Sequence, residues 1–372
     1  MKCEIWMVEI LKNLYIIKYA SVINMILKVV FIILGIVVLT LCVLLGKYTY
    51  DNMHFDEMPL KLTKQAGFVE KQKTLSNGIL LNYAEGPNNG PVLFLIHGQG
   101  MQWQDYSKVL SQLSKYYHVF AVDCEGHGKS SHDPSRYTCT AIGQDFVLFI
   151  KNVIGEPCIV SGHSSGGILA AWIAANCPDF VKGLVLEDPP FFSVEPDEMQ
   201  NTFVWKDSFV VTHNYLIQEP NESYSVYYFQ HSYLWHMFGG LQNFVAKSAA
   251  KYQAAHPGEP IKLWFVPHTM TYGLMYMNHF DLKFAETFYT GSWFDGISQL
   301  KILSEVKCPS VYIKAKTRYG NDGVLWAANT DEGADRVHNL LKGNKRITII
   351  SGHDIHFEKP DEFVHILTDF RK

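Results

Sequence analysis

The chain has 372 residues, of which 48% are hydrophobic, so it is long enough to bury one large core or two smaller ones. Its formal net charge of −4 excludes the basic surplus that is typical of nucleic-acid-binding proteins. The seven cysteines are scattered without a C-x-x-C pair, which argues against both a structural metal site and a disulfide framework. We therefore expect neither a nucleic-acid partner nor a bound metal.

An uncharged apolar run, residues 29–46, dominates the N-terminal region and is close to the shortest length that crosses a bilayer. No small-residue cleavage motif follows it, which favours an uncleaved single-pass anchor over residues 25–50 rather than a signal peptide. Residues 1–24 form a separate N-terminal segment, and residues 51–66 are predicted to be a polar linker. Four lysines precede the run and one follows closely, which predicts a globular part on the outer, non-cytoplasmic side (lysines 2, 12, 18, 28 and 47).

The next elements alternate between strands and helices. Two strands near residues 68–74 and 79–83 are joined by a Ser-Asn-Gly turn, and the apolar run 92–96 is typical of a buried parallel strand. Helices are predicted at 105–116 and 141–153, and further strands at 118–122, from 158, at 184–187, 310–315 and 346–350. This order predicts an α/β fold, a mostly parallel sheet with helices on both faces, built from residues 67–190 and 301–372.

A long insertion, residues 191–300, separates the two parts of this core and is crowded with aromatic side chains. A stretch of this length needs structure of its own, so we predict a mainly helical cap. Most of the rings are expected to pack the interior of the cap. Some should line an apolar pocket over residue 164, because ligand sites concentrate at clefts between domains.

The most informative motif is G-x-S-x-G, which runs from Gly162 to Gly166 and is centred on Ser164. A β-branched run precedes it and an alanine-rich run follows it, so it joins a buried strand to a helix. Such a sharp turn forces the central residue into a strained conformation, and the positions two residues away must be small. The serine oxygen is then lifted clear of the sheet, where a base and a substrate can reach it.

Four segments, in the order in which they occur along the chain, resemble the serine hydrolase branch of the α/β-hydrolase fold family. The resemblance covers roughly residues 66–372. The segments are the His97-Gly98 turn, the loop from Asp123 through Gly126-His127-Gly128-Lys129-Ser130, the Gly162–Gly166 motif, and residues 351–360. The resemblance implies the fold, the cap and a nucleophilic Ser164. A serine at this position argues against the haloalkane dehalogenase and epoxide hydrolase branches, which need a carboxylate nucleophile.

The resemblance also implies the other catalytic roles. His353, after the last strand, takes the position of the base, and His356 is its rival. The backbone N–H groups of Gln99 and Ser165 form the oxyanion hole. The acid stays open between Asp322, in a longer loop than usual after the seventh strand, and Asp188, directly after the sixth.

Together these features predict a membrane-anchored serine hydrolase. It would cleave an ester-like bond of a partly hydrophobic small molecule through an acyl-enzyme, without a metal or an organic cofactor. Hydrolysis of a carbon–carbon bond, or acyl transfer to an acceptor other than water, would use the same residues. A ligand-sensing protein that keeps the fold without turnover is the alternative from a different class.

Overall fold

The computed structural model describes residues 2–195, 198–341 and 343–371. The chain forms two compact units, with the boundary after His54. The first unit is one continuous helix, α1 (Lys2–His54), without a break at the predicted boundary near residue 25. Its most apolar window is not buried by the rest of the chain, and by length and composition this helix could cross a membrane. A signal sequence near an N-terminus meets the same minimum criteria of length and apolar composition.

The segment predicted as a polar linker, residues 51–66, is helical instead. The first helix continues to His54, and α2 spans Glu57–Gln65. Within α2, Thr63 is buried and its hydroxyl donates a hydrogen bond of 3.1 Å to the carbonyl of Ser107. Polarity alone does not reveal such a helix, because a surface helix needs apolar residues on only one of its faces.

In the described ranges, eight strands form one sheet in the order β1-β2-β4-β3-β5-β6-β7-β8. The bounds are β1 (Val69–Thr74), β2 (Leu80–Glu85), β3 (Val92–Ile96), β4 (His118–Val122), β5 (Cys158–His163), β6 (Val181–Glu187), β7 (Ser310–Ala315) and β8 (Lys345–Ile349). The β1–β2 and β2–β4 pairs are antiparallel, and all other pairs are parallel. The predicted mostly parallel sheet is confirmed.

The remaining helices lie between these strands and after the last of them. They are α3 (Ser107–Leu113), α4 (Cys139–Phe149), α5 (Ser165–Asn176), α6 (Val210–Gln218), α7 (Tyr224–His231), α8 (Tyr233–His236), α9 (Gly240–Ala255), α10 (His268–Thr271), α11 (Leu282–Thr290), α12 (Gln299–Glu305), α13 (Asp331–Leu340), α14 (Ile355–Glu358) and α15 (Pro360–Phe370). A π-helical turn, Ile150–Ile154, extends α4.

The central strands β3 and β5 are buried throughout, so their alternate side chains pack on both faces of the sheet. In β3, Phe94 packs into one apolar cluster with residues of α4 and α5, whereas Leu93 and Leu95 pack into another with α3 and α15. The insertion between β6 and β7 is mainly helical, as predicted. Many of its rings, including Phe229 and Trp235, are buried in a separate apolar cluster of the cap.

Candidate active site

The turn between β5 and α5 puts Ser164 in a strained backbone conformation, with φ 54° and ψ −124°. A Cβ atom on Gly162 would lie 2.0 Å from the carbonyl oxygen of Gly166. A Cβ atom on Gly166 would lie 2.4 Å from the carbonyl oxygen of His97. Both close approaches are to backbone atoms, which cannot move aside. The structure therefore supports the steric reason for the spacing G-x-S-x-G.

A buried carboxylate orients the imidazole that follows β8. His353 Nδ1 lies 2.7 Å from Asp188 Oδ2, and Asp188 Oδ1 accepts a hydrogen bond of 3.0 Å from the backbone N–H of Ala315. Asp188 is fully buried and has a positive φ of 44°, so the chain turns sharply directly after β6. That turn directs the carboxylate toward the end of the neighbouring strand β7 and toward His353.

The carboxylate of Asp188 changes the protonation of His353. Burial on its own would lower the pKa of this imidazole, but the hydrogen bond to Asp188 and its negative charge raise the pKa to about 9. The side chain of His353 is nevertheless 37% exposed, which leaves its other face open toward a cavity. The described hydrogen bonds do not include one from Ser164 Oγ to His353. Such contacts are commonly long in unliganded hydrolases and shorten when substrate binds.

The other candidate acid, Asp322, lies elsewhere. Its carboxylate is exposed and accepts hydrogen bonds from the hydroxyl of Tyr233 at 2.7 Å and from the backbone N–H of Val324 at 3.2 Å. No contact with His353 is present among the described residues. The loop after β7 turns its carboxylate toward the cap, so the geometry favours Asp188 over Asp322 as the partner of the imidazole.

Two backbone N–H groups beside Ser164 are available to a ligand. Among the described residues, neither Gln99 N nor Ser165 N donates a hydrogen bond to another protein atom. Gly98 permits the approach of its loop, since a Cβ atom there would lie 3.0 Å from the Cβ of Ser164. His97 does not face the cavity; its Nε2 accepts the N–H of Cys124 at 3.0 Å. The arrangement suits two donors that converge on one oxygen.

A cavity of about 330 Å³ separates this edge of the sheet from the cap. Its floor includes Gln99, Ser164, Ser165 and His353. Its roof is mostly apolar and aromatic, with contributions from Phe203, Phe209, Tyr224, Tyr228, Phe280 and Phe288. The prediction that some aromatic residues of the insertion line an apolar pocket over residue 164 is confirmed.

One carboxylate on the cavity wall was not singled out from the sequence. Asp207 is buried in the cap, where the N–H of Leu234 donates to Oδ1 at 2.7 Å and the hydroxyl of Tyr228 donates to Oδ2. Burial outweighs these hydrogen bonds and raises the pKa of Asp207 to about 6. No motif surrounds this residue, so only the fold reveals that it reaches the cavity.

A buried ionic network lies beneath the site, and the sequence reasoning missed it. His356 N and Nδ1 lie 2.7 and 2.8 Å from Glu187 Oε1, and His356 Nε2 lies 3.2 Å from Asp105 Oδ1. Burial would lower the pKa of His356, but the two carboxylates hold it well above its usual range. Glu187 directly precedes Asp188, and its carbonyl accepts the N–H of Ser164 at 2.9 Å. The network therefore braces the elements that carry Ser164, Asp188 and His353.

Among the described residues, Asp105, His163 and His356 are the group whose spacing is compatible with a metal ion, since their ligand atoms lie within 4.8 Å of one another. His356 is already engaged on both sides by carboxylates. Burial and the neighbouring His353 lower the pKa of His163 to about 4, so this ring is neutral. The contacts present are those of an ion-pair network, and no step of the chemistry below needs a metal.

Comparison with known families agrees with this architecture. A family model described as the alpha/beta hydrolase family matches residues 92–366. The chain belongs to the alpha/beta hydrolase family. The matched residues include the G-x-S-x-G turn, the whole cap and the segment that carries His353, so the resemblance expected from the sequence is confirmed.

Individual relatives match shorter parts of the chain. An (E)-2-((N-methylformamido)methylene)succinate hydrolase of Acinetobacter baylyi is 33% identical over 122 residues, which are 32% of this chain and 44% of that protein. A human serine hydrolase-like protein is 29% identical over 149 residues, 38% of this chain and 72% of that protein. The chain thus matches less than half of the length of the Acinetobacter relative.

Solved structures show the same fold at low sequence identity. The enol-lactonase from Burkholderia xenovorans LB400 superposes with a TM-score of 0.56 and 17% identity, over 81% of this chain and 99% of that one. This protein is therefore an alpha/beta hydrolase with hydrolases among its relatives.

Proposed function

We propose that the protein is a membrane-anchored serine hydrolase that cleaves an ester-like bond of a partly hydrophobic substrate. One observation carries the proposal: the Asp188–His353 pair and the strained Ser164 meet at one apolar cavity beside two unused backbone N–H groups. Nucleophile, base, orienting acid and oxyanion donors are the complete set that acyl transfer requires.

In the first half of the reaction, Ser164 Oγ attacks the carbonyl carbon of the substrate. His353 Nε2 accepts the hydroxyl proton, while Asp188 holds Nδ1–H and stabilises the imidazolium. The N–H groups of Gln99 and Ser165 stabilise the negative charge on the former carbonyl oxygen. His353 then returns the proton to the leaving oxygen, the ester bond breaks, and the acyl group stays on Ser164.

In the second half, water takes the place of the leaving group. His353 accepts one proton of the water, the resulting hydroxide attacks the acyl carbon, and the proton goes back to Ser164 Oγ when the carboxylic acid departs. The apolar roof of the cavity favours an aliphatic or aromatic acyl or alcohol part. Its volume of about 330 Å³ is in the range of small-molecule sites.

A fluorophosphonate probe tests the assignment of the nucleophile, because it labels activated serines covalently. We expect the full-length protein to be labelled and to hydrolyse p-nitrophenyl esters, and Ser164→Ala to lose both activities. Ser161→Ala is the matched control, since this buried serine lies three residues earlier in β5 and its hydroxyl makes no hydrogen bond in the described chain. Its labelling should equal that of the wild type.

The same experiment separates the alternatives. Labelling that depends on Ser164, without ester hydrolysis, would favour acyl transfer or carbon–carbon bond hydrolysis by the same residues. The absence of any Ser164-dependent adduct and of hydrolysis would favour a ligand-sensing role and refute the proposal.

The proposed location is a membrane, crossed once by α1, with the globular unit on the non-cytoplasmic side. The proposal is supported by the apolar run 29–46 and by the four lysines that precede it. Resistance to alkaline carbonate extraction tests the anchoring. Digestion of intact cells by an added protease tests the orientation, and a fully protected globular unit would refute the outward assignment.

A further inference from the structure

The surface of the cap carries a group of large apolar side chains that are exposed to solvent. Met237, Phe238, Leu241 and Phe244 are 56%, 42%, 62% and 58% exposed, and we call these four residues the apolar ridge. They lie between the end of α8 and the second turn of α9. Exposed apolar groups of this kind commonly mark a protein or membrane interaction site.

The ridge lies beside the face of α9 that packs into the cap. On this helix, Val245, Ala246 and Ala249 are buried in the apolar cluster of the cap. Leu241 and Phe244 are three residues apart and stay exposed beside that face. Phe238 and Phe244 contact Trp235 and Phe265 of the cap, with ring centroids 5.4 and 5.3 Å apart. The ridge therefore borders the core of the cap, and much of its apolar surface remains open to solvent.

The chain segment that carries the ridge holds basic but no acidic residues. Residues 224–258 contain no aspartate or glutamate, although the chain as a whole has a net charge of −4. Lys247 and Lys251 are exposed and follow Phe244 on the outer side of α9. Apolar side chains flanked by lysines are the pattern of surfaces that insert between anionic lipid headgroups.

We infer that the apolar ridge docks on the anionic surface of the bilayer that holds α1. This inference rests on the proposed anchoring. Residues 47–54, which separate the apolar run from the globular unit, are helical and span only about 12 Å at the rise of an α-helix. Under the proposed anchoring, so short a connection limits how far the globular unit can move from the bilayer.

Two packed helices, α7 and α9, connect the cavity to the apolar ridge. Tyr224 and Tyr228 of α7 line the cavity, and α7 packs against α9. A docked cap would hold the cavity within two helices of the bilayer surface. The class of substrate that follows is an ester whose apolar part resides in the membrane.

The test uses the full chain, reconstituted in vesicles of phosphatidylcholine alone or enriched in phosphatidylserine. A nitroxide label is attached to Leu241→Cys in a background in which the exposed Cys3 and Cys42 are replaced by serine. The matched control label is at Ile217→Cys, an apolar residue on α6 that is 64% exposed. Hydrolysis of a water-soluble ester by each labelled variant verifies that it is folded.

In the phosphatidylserine-rich vesicles, we expect the label at position 241 to be more accessible to oxygen than to a water-soluble nickel complex. The label at position 217 should be more accessible to the nickel complex than to oxygen. The double variant Leu241→Ser/Phe244→Ser should raise the KM for a bilayer-dissolved ester at least about tenfold, because two apolar side chains no longer enter the lipid. Its kcat/KM for the water-soluble ester should be unchanged, as should both values for Ile217→Ser.

Each opposite result is decisive. A label at position 241 that stays in water, in a chain that resists carbonate extraction, overturns the docking and leaves the anchoring intact. Strong spin–spin coupling between the labels of two chains would show that a second copy of the chain covers the ridge, which overturns the docking on the bilayer. A chain that carbonate extracts refutes the anchoring, and the docking with it, whereas Ser164-dependent labelling by fluorophosphonate would still support the proposed chemistry.

Discussion

Asp188 accepts two hydrogen bonds that an amide cannot accept together. Its Oδ1 receives the N–H of Ala315 at 3.0 Å, and its Oδ2 faces His353 Nδ1 at 2.7 Å. The amide of Asp188→Asn has two possible orientations. In the first, its oxygen still accepts the N–H of Ala315, and its NH₂ group faces His353 Nδ1. The imidazole must then carry its proton on Nε2, where it cannot accept the proton of Ser164. A flipped amide instead directs its NH₂ group at the N–H of Ala315 in a fully buried site.

The first arrangement disables the base, and the flipped one keeps Nε2 unprotonated but removes the negative charge that stabilises the imidazolium. We therefore expect kcat to fall on the order of 10⁴-fold. The unpaired buried donor in the flipped arrangement costs about 1–3 kcal/mol of folding stability, and the first arrangement costs less. The assay is the steady-state hydrolysis of a soluble p-nitrophenyl ester by the full-length protein in detergent. The rate of fluorophosphonate labelling provides a second readout, and circular dichroism verifies the fold.

Asp322→Asn is the matched control, because the sequence alone left the two carboxylates as alternatives. Asp322 is exposed and bonded to Tyr233, so its replacement should change kcat less than about twofold. The reasoning would be refuted if Asp188→Asn kept more than about a tenth of the wild-type kcat, or if Asp322→Asn lost as much.

Three further outcomes follow from the site. In the proposed mechanism the neutral imidazole of His353 is the base. Since Asp188 raises the pKa of His353 to about 9, kcat/KM should rise with pH up to about 9. In Asp188→Asn, the residual rate should reach its plateau at lower pH. Gly166→Ala, whose new Cβ would lie 2.4 Å from the carbonyl oxygen of His97, should lower folding stability by about 3 kcal/mol or more, seen as a lower Tm in detergent. His356→Phe leaves two buried carboxylates without their cation, which should cost about 3–5 kcal/mol in the same measurement.

These measurements have simple controls. For the pH profile, Ser164→Ala gives the background hydrolysis, and a wild-type midpoint equal to that of Asp188→Asn would contradict the account of His353. Gly240→Ala places a Cβ where no atom lies within 4 Å, so its Tm should not fall. His365→Phe changes an exposed imidazole on α15 and should have little effect. Equal Tm values for the two glycine variants, or for the two histidine variants, would show that the close contacts described here do not limit stability.

The local features of this fold could be read directly from the sequence. The bounds of β4 and β7 agree residue for residue with the predicted strands, because strands buried on both faces are mostly apolar. The G-x-S-x-G turn was equally readable, since its glycines are needed by contacts between residues close together in the chain. Helicity at 57–65 was missed because polar composition does not reveal which side chains share a face.

The choice between Asp188 and Asp322 lay beyond the sequence. Both follow parallel strands at the same edge of the sheet, and their order along the chain does not say which loop turns toward the imidazole. The tertiary structure decides through the positive φ of Asp188 and the bond from Tyr233 to Asp322. The same holds for His356, whose buried partners come from segments 169 and 251 residues away.

What the sequence by itself determined were the strands, the sharp turn at Ser164 and the family, because short-range sterics and apolar runs encode them. Only the tertiary structure decided which carboxylate meets His353, which rings line the cavity, and which apolar side chains of the cap stay exposed. These depend on the directions in which loops and helices pack, and packing brings together residues whose separation in sequence carries no information about their separation in space.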